Sequence, residues 1–136
     1  MVFLDSNVLV YIAIDQDPAK KERALKFVSG LVASGEAVIS LQVLREVANC
    51  MFRKSGSDVD FIKETISGFK SIPCVIDTPE MMERGMEIKA RYGIQFYDAL
   101  VVAAAEAAGC DTVFSEDMAD GAEYGSVRVE NPFRRK

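Results

Sequence analysis

The sequence predicts an α/β protein in which a mostly parallel sheet lies between two layers of helices. Short apolar segments typical of buried strands alternate along the chain with longer segments of helical periodicity. One helical segment is apolar all round, as expected for a helix that packs deep against a sheet. This order predicts parallel strands joined by right-handed crossovers. Residues 1–136 contain no evident linker and are expected to form one domain.

The first predicted strand, Val2 to Leu4, ends directly in Asp5. Ser6 and Asn7 are favourable N-cap residues, so a helical segment is expected to begin behind them and to continue through the apolar residues 8–14. Ligands of open α/β sheets bind outside the carboxyl ends of the strands. Asp5 is therefore placed where a metal or substrate group would be held.

The next elements are a helix over 19–34, a strand over 37–40 and a helix over 41–54. The first of these helices concentrates basic residues, for which a solvated face is favoured over a phosphate-contacting surface: Lys20, Lys21, Arg23 and Lys26. Glu46 lies in the second turn of the 41–54 helix, beside its apolar stripe. Taken alone, a helical glutamate of this kind is most simply a surface residue.

A helix over 58–71, a strand over 74–76 and a helix from Pro79 to Tyr92 follow, the last with Thr78 as its cap. The apolar helix over 99–108 opens at Asp98. Two interpretations of Asp98 remain open, namely an N-cap or a functional carboxylate stabilised by the helix dipole.

The strand over 112–114 runs into Ser115, Glu116 and Asp117, which repeats the opening pattern of an apolar strand followed by acid. A loop over 118–126 and a last strand over 127–129 complete the order of elements. Acids after a strand are also common in loops, so this feature alone does not identify a site.

Composition removes several classes of chemistry. The chain has no histidine, which excludes Ser-His-Asp and Cys-His catalysis and histidine zinc sites. Its three cysteines form no C-x-x-C pair, and with no signal peptide they suggest a reducing, cytoplasmic location. No apolar run approaches the roughly 20 residues of a membrane span. The net charge of −5 is unfavourable for a nucleic-acid binder unless clustered acids are neutralised by a cation.

Four acids are expected at one edge of the sheet: Asp5, Glu46, Asp98 and Asp117. Asp5 and Asp117 follow strands, whereas Glu46 and Asp98 lie early in helices that start on the side where strands end. Converging carboxylates raise each other's pKa unless a cation lies between them. Oxygen ligands without histidine or paired cysteine suit Mg²⁺ or Mn²⁺, which chiefly serve phosphoryl chemistry.

On these residues the sequence resembles the PIN-domain family of metal-dependent nucleases. The matching segments are Asp5-Ser6-Asn7-Val8-Leu9, Glu46, 98–105 and Ser115-Glu116-Asp117, and they span almost the whole chain. Size and arrangement are most similar to single-domain members such as the VapC toxins of VapBC toxin–antitoxin modules. The resemblance implies a five-stranded parallel sheet in an α/β/α sandwich and cleavage of RNA phosphodiesters with Mg²⁺ or Mn²⁺.

The resemblance also implies the roles of individual residues. Asp5, Glu46, Asp98 and Asp117 would be the metal-binding catalytic acids, with Asn7 and Ser115 supporting the site. The chain departs from the family at Asp120, where members often carry a large apolar residue. Asp117 is ranked first as the fourth acid because it keeps the S-x-D spacing, and Glu116 second. Phosphate contacts are suggested only by residue type: Lys20, Lys21, Arg45, Arg53 and Arg91.

Partners follow from the same resemblance. We expect an RNA substrate, a small antitoxin that covers an apolar groove, and a homodimer. Apolar residues of the early helices could serve these contacts, but a core role is favoured for them: Val10, Tyr11, Ile14, Phe27 and Leu31.

Three other functions are considered for the same order of elements. The first is a non-toxin ribonuclease, and the second is a non-catalytic module that binds RNA or protein through this surface. The third is an aspartyl phosphatase of the haloacid dehalogenase type with Asp5 as nucleophile. That chemistry needs a general acid two residues later, where this chain has Asn7, an amide that cannot cycle a proton. No P-loop motif occurs.

Overall fold

A computed structural model describes residues 1–54 and 56–134 of the chain. The order of strands and helices follows the sequence-based prediction. The strands are β1 (Val2–Leu4), β2 (Ala37–Ser40), β3 (Cys74–Val75), β4 (Thr112–Phe114), β5 (Glu123–Tyr124) and β6 (Val127–Glu130). The helices are α1 (Ser6–Ala13), α2 (Pro18–Ala33), α3 (Leu41–Lys54), α4 (Val59–Gly68), α5 (Pro79–Tyr92) and α6 (Phe96–Ala107), with a 3₁₀ turn over Phe69–Ser71.

The sheet has the order β3-β2-β1-β4-β6-β5. All neighbours from β3 to β6 are parallel, and only β5 pairs antiparallel, with β6. The prediction of a mostly parallel sheet is confirmed, whereas five strands is one too few. The sixth, β5, was missed because it is only two residues long and lies in the predicted 118–126 loop. It pairs through a tight hairpin at Gly125, whose positive φ of 62° suits the turn.

The helices form two groups. Helix α1 packs on both α2 and α3, α3 packs on α4, and α5 packs on α6. The chain steps from β1 to β2 to β3 in one direction and then returns to β4 on the other side of β1. With right-handed crossovers, this reversal puts the two groups of helices on opposite faces of the sheet, as the sandwich requires.

Helix α6 lies unusually close to α5 at Gly85. A Cβ atom added at Gly85 would come within 2.7 Å of Leu100 Cδ2, so glycine lets the two helices approach. The apolar stretch of α6 is buried as predicted, and its buried residues are Ala99, Val101, Val102, Ala103, Ala104 and Ala105. This packing fixes the position of the first turn of α6, which contains Asp98.

Helices α1 and α6 begin at different residues from those predicted, and each difference involves a carboxylate of the predicted site. Helix α1 is capped by Asp5, not by Ser6 or Asn7, and α6 begins at Phe96 behind Gln95, so Asp98 lies in its first turn and is not the N-cap. Gln95 makes no side-chain capping bond. The interpretation of Asp98 as an N-cap is therefore wrong, because the local pattern did not show that Phe96 and Tyr97 already have helical backbone.

Candidate active site

The candidate site lies where the direction of the sheet reverses. Strands β1 and β4 are neighbours, and the chain leaves them toward opposite edges of the sheet. Asp5 follows β1 and Ser115 follows β4, and the Asp5 backbone N–H donates to the Phe114 carbonyl at 3.0 Å. Such a reversal opens a crevice at the carboxyl ends of the strands, where α/β proteins bind their ligands.

Asp5 is almost fully buried, with 6% of its surface exposed. Its Oδ1 accepts a hydrogen bond from the Ser6 backbone N–H at 2.8 Å, and its Oδ2 accepts from Ser115 Oγ at 2.8 Å. The first bond caps α1, and the second ties the carboxylate to the end of β4. One side chain therefore begins a helix and faces the crevice from a fixed position.

Asn7 connects the two strand ends. Its Nδ2 lies 3.3 Å from Asp5 Oδ2, 3.1 Å from Ser115 Oγ and 3.4 Å from Asp117 Oδ2. Its Oδ1 accepts from the Glu116 backbone N–H at 2.9 Å. An amide that donates on one side and accepts on the other can orient both carboxylates while it binds the loop after β4.

The pKa of Asp5 is raised above its ordinary value. Burial is the largest cause. Hydrogen bonds from Ser115 and Ser6 oppose the rise, while the negative charges of Asp98 and Asp117 add to it. The two distant carboxylates therefore lie close enough to repel Asp5.

The pKa values of Glu46 and Asp98 are also raised. Burial raises the pKa of Glu46 most, hydrogen bonds to Ser6 and Gln42 oppose the rise, and the charges of Asp5 and Asp98 add to it. Burial also raises the pKa of Asp98, with a further contribution from the charge of Asp117. The four predicted acids are thus electrostatically coupled across one crevice, although they are far apart in the sequence.

The donor set fits a hard divalent cation. All four acids offer carboxylate oxygens, which Mg²⁺ and Mn²⁺ prefer. Across residues 1–54 and 56–134, no three histidine, cysteine or acidic side chains are already close enough together to enclose an ion. Carboxylates brought to close range need a positive charge between them, which a bound divalent cation would supply.

The Glu116 carboxylate already has two partners. It forms an ion pair with Lys20 and accepts a hydrogen bond from Tyr11 Oη at 2.6 Å. Burial alone would raise the pKa of Glu116, but the bonds from Lys20 and Tyr11 outweigh it and lower that pKa. With its charge already compensated, Glu116 has less to gain from a cation than an unpaired carboxylate has.

Asp120 is also occupied. Its Oδ1 accepts from the Asn131 backbone N–H at 2.8 Å, and its Oδ2 lies 3.4 Å from Arg134 Nη1. These contacts anchor the end of the described chain after β6. Of the three acids considered for the fourth position, only Asp117 has a carboxylate that accepts from Asn7, and its backbone N–H donates to Ser115 Oγ. Asn7 and Ser115 themselves contact Asp5.

The basic residues suggested for phosphate binding lie in different surroundings. Four of them have a partner in the structure: Lys20 pairs with Glu116, Lys21 with Asp15 and Arg45 with Asp77, while Arg91 lies over the Tyr92 ring. Arg53 instead lines a cleft of about 410 Å³ next to the acids. The same cleft is lined by Asn49 and Lys54, which were not singled out from the sequence. Their positions three and eight residues after Glu46 on one helix were the available signal.

The apolar residues suggested for partner contacts mostly face the core. Ile14 is buried, and Val10, Phe27 and Leu31 are partly buried against the core. Tyr11 packs edge-on against Phe133, with ring centroids 5.2 Å apart. The preference for a core role is therefore confirmed for the aliphatic residues and Phe27. Within the described residues, no helix has the length and apolar character needed to cross a membrane.

Similar folds occur in solved structures. VapC20 of Mycobacterium tuberculosis, described as a sarcin-ricin loop cleaving toxin, is 20% identical, with a TM-score of 0.70 and coverage of 94% of this chain and 99% of that one. A toxin–antitoxin complex from Klebsiella pneumoniae is 16% identical, with a TM-score of 0.74 and 98% coverage of both chains. VapBC2 from Rickettsia felis, bound to a DNA fragment from its promoter, is 16% identical, with a TM-score of 0.71 and coverage of 96% and 98%.

No curated protein matches the sequence. The model of the PIN domain family matches residues 2–119, which include β1, the crevice and all four acids. The chain therefore belongs to the PIN domain family.

Proposed function

We propose that the protein is a divalent-metal-dependent endoribonuclease whose ion is held by Asp5, Glu46, Asp98 and Asp117. The observation that carries this proposal is the meeting of these carboxylates at the reversal point of the sheet. Asn7 contacts both Asp5 and Asp117, Glu46 and Asp117 line one cleft, and Asp98 lies near enough for its charge to act on Asp5. Membership of the PIN domain family and a fold shared with a toxin described as cleaving the sarcin-ricin loop support the choice of substrate. Mg²⁺ and Mn²⁺ are the proposed ions.

A bound Mg²⁺ or Mn²⁺ would supply positive charge to stabilise the phosphate during in-line attack by water. The chain's own contribution is positional. Asn7 and Ser115 orient Asp5 and Asp117, and the packing of α6 sets the place of Asp98. Because Asp5, Asn7 and Ser115 are already hydrogen-bonded to one another, this part of the site needs little reorganisation during reaction.

Removal of the cation should abolish the activity. Purified protein is expected to cleave single-stranded or looped RNA in Mn²⁺, and chelation with EDTA should lower the rate by roughly 10²-fold or more, since metal charge contributes several kcal/mol at about 1.4 kcal/mol per tenfold. Gel analysis of an end-labelled RNA measures this, with excess Mn²⁺ restoring activity. Cleavage that EDTA leaves unchanged would contradict the proposed chemistry.

Metal affinity should distinguish the candidates for the fourth acid. Asp117→Asn is expected to weaken Mn²⁺ binding by about tenfold or more, because it removes a charged ligand. Glu116→Gln should change it by less than about threefold, because the Glu116 charge is already compensated by Lys20. Calorimetric titration with Mn²⁺ measures both. A larger loss in Glu116→Gln than in Asp117→Asn would reverse the assignment.

We further propose that the protein is the toxin of a type II toxin–antitoxin pair and forms a homodimer. Two of the similar solved structures are described as toxin–antitoxin assemblies, which supports a small antitoxin as partner. An apolar groove between α2 and the 3₁₀ turn, lined by Leu25, Val32, Phe69 and Ile72 among others, offers a surface for such a partner.

A further inference from the structure

The cleft beside the candidate site joins residues of opposite charge. At one side it is lined by Glu46 and Asp117 of the acidic site, and at the other by Arg53 and Lys54 at the end of α3. Its volume of about 410 Å³ lies within the range of small-ligand clefts. Glu116, whose charge is paired with Lys20, also lines it. The other lining side chains are uncharged: Ser6, Asn7, Val10, Tyr11, Gln16, Asn49 and Cys50.

The spacing along α3 explains why these residues face the same cleft. Asn49, Cys50 and Arg53 follow Glu46 by three, four and seven residues, so all four share one face of the helix. At a rise of ~1.5 Å per residue, Arg53 lies about 10 Å along the helix axis from Glu46. This face points toward Val10 and Tyr11 of α1 across the cleft.

Arg53 is available to bind an anion from solution. It is exposed, and in the described part of the chain no carboxylate forms an ion pair with it. This distinguishes it from Lys20 and Arg45, whose charges are compensated by Glu116 and Asp77. A guanidinium that lacks a protein carboxylate matches the geometry of a phosphate with two parallel hydrogen bonds.

We propose that this cleft binds the RNA strand next to the scissile phosphate, with Arg53, assisted by Lys54, holding a backbone phosphate. The inference rests on the proposed ribonuclease function and deepens it. A stacked strand rises ~3.4 Å per nucleotide, so about 10 Å corresponds to roughly three nucleotides. Helix α3 would thus present a metal-binding acid at the cleavage position and a phosphate-binding base about three nucleotides away.

The proposal also explains how an acidic protein holds RNA. With a net charge of −5, the protein as a whole repels a polyanion. The Arg53 guanidinium beside the site gives a local contact to a phosphate other than the one that reacts. Because that contact is present in both the bound substrate and the transition state, its loss should weaken binding more than it slows the chemical step.

The test compares Arg53→Ala with a matched arginine variant, Arg128→Ala. Arg128 is exposed on β6 and pairs with Thr112 at the start of β4, so it lies at the edge of the sheet opposite to Asp5. On a fluorescent RNA of eight nucleotides in Mn²⁺, Arg53→Ala should raise KM about tenfold with kcat within about twofold. Arg128→Ala should change neither, and both variants should melt at the temperature of the unmodified protein.

Two further measurements identify the contact as a phosphate contact. In an Asp98→Asn background that does not cleave, the anisotropy of the labelled RNA gives Kd directly. Arg53→Ala should reduce the slope of log Kd against log salt concentration by about 0.7, the value for one phosphate of a single strand. Arg53→Lys should keep most of the slope. Shortening the RNA from one end to two nucleotides should remove the difference between Arg53→Ala and the unmodified protein.

The outcomes separate this inference from the proposed function. If the unmodified protein neither binds nor cleaves RNA, the ribonuclease proposal fails and the inference fails with it. If the protein cleaves RNA but Arg53→Ala changes KM no more than Arg128→Ala does, the inference alone is overturned. The same holds if the effect of Arg53→Ala persists on a dinucleotide.

Discussion

Replacement of Asp5 by asparagine is expected to lower the rate of RNA cleavage by about 10³-fold, or roughly 4 kcal/mol of transition-state stabilisation. Asp5 is the most buried of the four acids and has contacts to both strand ends that form the crevice. The amide removes the negative charge that would hold a cation, while it occupies nearly the same volume.

The fold should survive this change. Asparagine is as good an N-cap as aspartate, so the bond from the Ser6 backbone N–H that begins α1 can be kept. Asp111→Asn serves as the matched control, because Asp111 is exposed at the start of β4, at the opposite edge of the sheet. Rates of the two variants and the unmodified protein are measured on one labelled RNA in Mn²⁺. Equal cleavage by all three would place the activity elsewhere or in a contaminant.

The same variant tests the toxin proposal in cells. Expression of the unmodified protein should arrest growth, and Asp5→Asn should relieve the arrest if RNA cleavage causes it. Asp111→Asn should remain toxic. Continued growth of cells that contain abundant, soluble and metal-active protein would count against the toxin proposal but leave the ribonuclease proposal intact.

Mn²⁺ should raise the melting temperature of the unmodified protein by about 8 °C at a concentration near 100 times its dissociation constant. Binding to the folded state alone contributes about 2.7 kcal/mol at that ratio, and each kcal/mol shifts the transition of a domain of this size by roughly 3 °C. The physical source is relief of the repulsion among Asp5, Glu46 and Asp98.

The Asp98→Asn variant distinguishes Mn²⁺ binding at the four acids from stabilisation by Mn²⁺ bound elsewhere. Without metal, the variant should be at least as stable as the unmodified protein, because it removes a half-buried charge that repels Asp5. Added Mn²⁺ should raise the melting temperature of this variant much less than it raises that of the unmodified protein. Differential scanning calorimetry of both proteins measures the two effects. An increase of equal size in Asp98→Asn would show that the ion binds outside the four-acid site.

The order of the elements and the edge of the sheet at which the acids gather follow from the sequence because both depend on local patterns. Apolar segments that end in acid identified β1 and β4, and helical periodicity identified α3 and α6. Acids that follow strands or begin helices must share an edge in a parallel sheet. The sequence therefore predicts Asp5, Glu46 and Asp98 at this edge, together with an acid after β4.

The choice among Asp117, Glu116 and Asp120 depends on tertiary structure. Three acids lie within five residues, and the S-x-D spacing only ranks Asp117 first among them. Contacts with distant residues show which of the three already have charged or backbone partners. Lys20, 96 residues earlier, pairs with Glu116, and Asn131 binds Asp120. The short strand β5 was missed for a related reason, since two residues carry too little periodicity to show their pairing with β6.

Asn7 is the clearest example of a residue whose type was informative in the sequence but whose contacts depend on the folded chain. Because Asn7 is an amide, the sequence lacks the general acid that phosphatase chemistry needs at this position. The sequence also suggested Asn7 as a helix cap, but α1 is capped by Asp5 instead. Only the folded chain brings Asn7 to Ser115, 108 residues away, and to Asp117 beyond it. The sequence by itself thus determined which residue types reach the carboxyl edge of the sheet, because strand ends and helix starts are set locally. The tertiary structure decided which of them are paired, oriented or left available, because a side chain's partners come from segments that meet only when the sheet forms.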